Sequence, residues 1–165
     1  MQTRPNLRLV NALRETARKL EAGAVYNWTH MGRCNCGHLA QTVTNLDPAE
    51  IHRKALEKAG DWAHQTVEHC TGTGLTMDHI IETMLDLGLT RQDLIHLERL
   101  SDQRVLKNIE LERRVEIDHR KKEDVVLYLR TWAGILEEQL AETVDFDAKK
   151  ILERTPEMSE KNAIF

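Results

Sequence analysis

The sequence has little of what many function classes require. Aromatic residues make up 4% of its 165 positions, as three Trp, two Tyr and two Phe. Glycine (8) and proline (3) are sparse, too few for a many-turned sandwich or barrel. The three cysteines, Cys34, Cys36 and Cys70, are too few and odd in number for a disulfide framework. No apolar run is long enough to span a bilayer. The opening MQTRPNLRLVNALRE lacks the uninterrupted apolar stretch of a signal peptide. The expectation is therefore a cytoplasmic location with no membrane partner. Positive charge is not in excess either. Lys and Arg number 23 against 27 Asp and Glu, a net charge of −4, which argues against a nucleic-acid partner.

What the chain has in abundance is Leu, Ala, Glu, Lys and Arg, the good helix formers. Over residues 7–21, Val10, Leu13, Ala17 and Leu20 line one face, and Gly23 follows as a C-terminal glycine should. Asp47-Pro48-Ala49-Glu50 is a helix start with cap, proline and capping-box acid in place. That helix is expected to run to Ala59 and to stop at Gly60. Further helices are expected over 61–70, from Thr76 to Leu87, and from Thr90 with Asp93 in its first turn. Ser101 caps another helix or bends this one. The charged stretch 110–124 reads as a connecting loop or a solvated turn of helix. The clearest helix spans 123–143, where Val125, Leu129, Trp132, Leu136 and Leu140 align. Gly134 inside it points to close approach by another helix. After Val144 the pattern weakens.

Together these give an all-α fold, an irregular bundle of about six or seven helices. One ordered non-helical segment interrupts it near residues 24–35. A single helical domain covers 1–144, and a short terminal helix with a frayed tail covers 145–165. The composition also admits a homo-oligomer.

The non-helical segment carries the chemistry. At alternate positions it places Tyr26, Trp28, His30, Gly32, Cys34, Cys36 and His38, which share one side wherever the chain is extended. His30, Cys34, Cys36 and His38 offer thiolate and imidazole, the ligand types of a transition metal such as zinc. The spacing is not that of a standard zinc finger, and His64, His69, Cys70 and His79 are candidates to complete the shell. A zinc site around residues 30–38 is the leading expectation, with its activity undetermined.

A second reading makes Cys36 a catalytic or redox thiol. With Asn35 as N-cap, Cys36 would lie in the first turn of a helix, where unpaired N–H groups favour thiolate. His30 or His38 would then serve as its base. Residues 32–40, Gly-Arg-Cys-Asn-Cys-Gly-His-Leu-Ala, resemble the glycine–cysteine stretch at the helix start of papain-like proteases. The upstream oxyanion glutamine of that family has no counterpart, since Gln2 is the only glutamine before Cys36, and no role carries over.

A third reading is a non-enzymatic regulatory or interaction domain. Its basis is the helix-turn-helix character of residues 80–100, where Asp-Leu-Gly-Leu-Thr separates two short helices. Acids in the second helix balance its arginines, so a plain helical hairpin fits better than a DNA reader. The pairs Asp61/His64, Asp93/His96 and Glu116/His119 have the i, i+3 spacing of di-metal bundles, but the usual motif uses Glu and needs two further Glu on facing helices. The TGTGLT run at 71–76 lacks the Lys-Ser/Thr of a P-loop.

Overall fold

The computed structural model describes residues 3–57, 60–67 and 76–154. Among these residues there are nine helices and no strand. The first, α1 (Leu7–Glu21), starts at Asn6, whose side-chain oxygen accepts the Leu9 N–H. Leu9, Val10, Leu13, Ala17 and Leu20 form its buried face. Next come α2 (Asn35–Thr44), α3 (Pro48–Ala55), α4 (Trp62–Val67) and α5 (Thr76–Asp86). They are followed by α6 (Arg91–Arg99), α7 (Gln103–Lys107), α8 (Leu111–Val115) and α9 (Lys122–Arg154).

Local rules account for most of these boundaries. Asp47 accepts the Glu50 N–H and Pro48 opens α3. Thr90 and Asp93 close a reciprocal capping box on α6. The cap of α7 is Asp102, while the Ser101 hydroxyl turns to His96 Nδ1 at 2.8 Å. The regular part of α3 ends at Ala55, short of Ala59, because its buried row of Ile51 and Ala55 stops there and Leu56 is exposed. Residues 68–75, with the end of the expected 61–70 helix and most of TGTGLT, lie outside the described residues.

The longest helix packs its first half along α1. Val125, Leu129, Trp132, Ala133 and Leu136 of α9 meet the apolar face of α1 in the core. Arg14–Glu137 and Arg130–Glu21 ion pairs stitch the wet edges of this pair. Such exposed pairs contribute little energy but fix alignment. The helix continues without a break through residue 144 to Arg154.

At the centre sits α2, which packs against α1, α3, α5 and α6. Every residue from Asn35 to Ala40 is buried. Cys36, Gly37 and Ala40 keep this short helix thin enough for four neighbours. The segments at 80–100 straddle it: α5 packs chiefly on α2 and α3, and α6 on α4 and α2. They flank a shared helix rather than forming a hairpin with each other.

Gly134 does not serve the close approach expected of it. A Cβ built there meets no atom within 4 Å. Gly134→Ala is thus expected to stabilise the fold by about 0.5–1 kcal/mol, since alanine favours the helix and restricts the unfolded chain. A rise of roughly 2–4 °C in the thermal midpoint would register it. Among the described residues, no helix is long and apolar enough to cross a membrane.

Candidate functional site

Residues 24–34 form a coiled loop rather than an extended strand. The His30 N–H donates to the Asn27 carbonyl, and Arg33 and Cys34 both donate to the His30 carbonyl. The Asn27 side chain accepts from the N–H and hydroxyl of Thr29. These turns break the alternate-residue pattern. Cys34, Cys36 and His38 go inward, while Trp28 and His30 remain half-exposed.

Neighbouring elements then lock the loop. The Trp62 indole N–H donates to the Met31 carbonyl at 2.9 Å, and Gln41 donates to the Gly32 carbonyl at 2.6 Å. The Asn35 amide donates to the Leu97 and Glu98 carbonyls at the end of α6. Its oxygen accepts the Tyr26 hydroxyl at 2.7 Å. Asn35 is therefore a tertiary clasp inside α2, and Cys34 takes the N-cap position without a side-chain cap bond.

Both thiols of this segment are buried and free, with 2% exposure for Cys34 and 0% for Cys36. Cys34 donates to the Met31 carbonyl at 3.5 Å, and Cys36 to the Leu94 carbonyl at 3.3 Å. Burial pushes the Cys34 thiol up to about 12. It pushes Cys36 well above its ordinary value, and the nearby Cys34, Glu98 and Asp61 add to the effect. Cys36 does lie in the first turn of α2, yet desolvation outweighs the helix terminus. Neither thiol is expected to react with iodoacetamide in native buffer at pH 8. Both should be fully labelled after denaturation, as read by intact-mass spectrometry.

The imidazoles are committed as well. His38 donates from Nε2 to the Val25 carbonyl at 3.1 Å, and its Nδ1 faces the Gln41 amide at 3.4 Å. Burial holds its pKa below the usual imidazole value. His30 accepts the Gly32 N–H at Nδ1 and stacks on His52 of α3, with ring centroids 4.0 Å apart. His30, Cys34, Cys36 and His38 thus hold separate partners. Among the described residues, no group of three or more His, Cys, Asp or Glu is placed to share a metal ion. His69 and Cys70 lie outside those residues. His64 is exposed, and His79 pairs with Glu82 along α5.

The carboxylate–histidine pairs serve helix ends and surfaces. Asp61 accepts the His64 N–H and pairs with Arg99 at 2.8 Å. Asp93 belongs to its capping box. His119 sits edge-on to Trp28, with ring centroids 4.3 Å apart, and the Arg99 guanidinium lies over the Trp28 ring, 5.6 Å from its centroid.

One titratable residue gave no sequence signal. Glu98 looks like an ordinary polar position on the amphipathic α6, yet it is 3% exposed. Its Oε2 accepts the Ala63 N–H at 2.7 Å, so it caps α4 from a distant helix. Burial, then the Asp61 carboxylate, raises its pKa to about 7.

The far end of α9 is exposed. Residues 141–150 are exposed on every face, where the helix has left the body. Val144 and Phe146 are each 66% exposed on opposite sides of it. No protein-family model matches the chain, and neither a curated protein nor a solved structure matches it.

Proposed function

We propose that the chain is a non-enzymatic interaction domain that presents the far end of α9 to a protein partner. The observation that carries this reading is the exposure of Val144 and Phe146 on a helix extension that packs on no other element among the described residues. A helical segment of that length gains little stability by itself in water. Apolar side chains displayed on it gain by docking. The inward commitment of Cys34, Cys36 and His38 supports the same reading, because each of them is held by a backbone carbonyl.

The test compares the parent with a V144E/F146E double variant. Circular dichroism should show the body equally folded in both. In crosslinking and affinity capture from the source cells, the parent should hold a discrete partner that the double variant loses. Equal capture by both, or capture of nothing above background, overturns the reading. Elemental analysis runs alongside. One zinc per chain, lost together with the fold on chelation, would replace it with the transition-metal reading of His30, Cys34, Cys36 and His38.

A further inference from the structure

We propose that the end of the bundle where α1 begins and α9 leaves the body is a two-fold interface with a second copy of this chain. The proposal rests on the reading of α9 as an interaction element and names its partner. Two ion pairs along the edge of these helices fix their register. Arg14 meets Glu137, and Glu21 meets Arg130. Seven residues separate the two pairs on each helix, and the order shows that the helices run in opposite directions. One further step of seven along the same edge brings Leu7 level with Val144. This third rung is apolar. Both of its members lie open, with exposures of 65% and 66%.

Charges of opposite sign stand on the two sides of that rung. On the α1 side are Arg4 and Arg8, both exposed. On the α9 side are Glu142, Asp145 and Asp147, also exposed, and no base occurs between Arg130 and Lys149. None of these five residues has an ion-pair partner among the described residues, so the two sets do not pair within one chain. α9 runs unbroken past the start of α1 to Arg154, which leaves its later acids no α1 surface beside them.

A patch with an apolar centre, a basic side and an acidic side complements itself under a two-fold rotation. An axis through the Leu7–Val144 rung lays the extension of α9 antiparallel to its copy, along the start of the second copy's α1. Each basic side then meets an acidic side, and the apolar side chains share the centre. Ala141 and Ala148 lie on the Val144 face at helical spacing, and their small side chains allow close approach. A second copy is favoured over an unrelated protein because both halves of the complement lie on this one surface. The patch is small, so the dimer is weak, with a Kd on the order of 10–100 μM.

Sedimentation equilibrium of the full chain tests this from about 5 to 500 μM. The expected result is a monomer–dimer equilibrium that weakens about tenfold between low and high salt. Two charge-reversed variants identify the surface, with circular dichroism to show that both are folded. R4E/R8E makes the patch acidic throughout, and E142K/D145K/D147K makes it basic throughout. Each alone should lose at least about tenfold in self-association. Mixed in equal amounts, they should form a heterodimer within about threefold of the parent affinity, because every contact again joins opposite charges. A parent that stays monomeric over the whole range overturns the proposal. So do variants that self-associate as the parent does, or folded variants that stay apart when mixed. A monomeric parent that captures a different protein through Val144 and Phe146 would sink the second copy as partner and leave α9 as an interaction element. Where a variant does not fold, the concentration and salt series of the parent decide.

Discussion

Gly32→Ala is expected to destabilise the fold by about 3 kcal/mol or more. A Cβ at this position would lie 2.0 Å from the Pro48 carbonyl oxygen and 2.7 Å from its carbon. Those atoms belong to the backbone at the start of α3, so no side chain can rotate away. The opposite wall is no softer. A Cβ on Gly37 would meet the Met31 oxygen at 2.3 Å and the Gly32 carbonyl carbon at 2.6 Å. The loop is thus pressed between α2 and α3 with two glycines as its bearing faces. Relief of the clash would pull the loop from one helix and break the Trp62 and Gln41 hydrogen bonds to it. Urea unfolding followed by far-UV dichroism measures the loss. A Gly32→Ala variant within 1 kcal/mol of the parent would mean that the loop does not pack in this way.

Glu98→Gln is expected to make the protein more stable at alkaline pH. The carboxyl of Glu98 has its pKa raised from 4.5 to about 7, by burial first and then by Asp61. Between those two values the folded state holds a proton that the unfolded chain releases. The stability linked to this group is therefore complete at low pH and falls as pH rises toward 7. The fall amounts to about 3 kcal/mol. Glutamine keeps an oxygen for the Ala63 N–H and removes the charge. His30, His38 and His119 are shifted down by burial, and their linkage has the opposite slope in part of this range. The difference between variant and parent cancels them. It should grow from nearly zero near pH 4.5 to about 3 kcal/mol at pH 8, roughly 6–12 °C in the thermal midpoint. A difference that stays flat across this range would contradict the burial of the carboxyl.

Sequence periodicity was a good guide wherever a helix has one wet face. The apolar row of α1, the Asp47-Pro48 start and the Thr90/Asp93 box all follow from local rules, and each stands in the structure. The segment at 24–34 was also legible as non-helical, through its lack of period. Its shape was not. Alternation implies a strand only while the backbone stays extended, and Asn27, His30 and Arg33 close turns instead. By residue type Asn35 suits a cap, because asparagine favours that place. Its amide has stronger calls from Leu97, Glu98 and Tyr26, which come from distant parts of the chain. Gly134 looks like a packing glycine from its place in an apolar helix, yet it touches nothing, while Gly32 and Gly37 lie against the backbone of other segments. Composition alone cannot separate the two, because the difference lies in which backbone crosses nearby. Glu98 was invisible for the same reason.

The pairing of α1 with α9 also bears on how the chain is made. Arg14 and Glu137 meet across 123 positions of sequence. On a ribosome, Leu9, Val10, Leu13, Ala17 and Leu20 emerge long before Val125, Leu129 and Leu136. Throughout that interval the face of α1 has no native cover from α9. Nascent chains in this condition are open to misassociation and suited to chaperone capture. Closure of so wide a loop also slows the final step relative to helix bundles built from sequence neighbours.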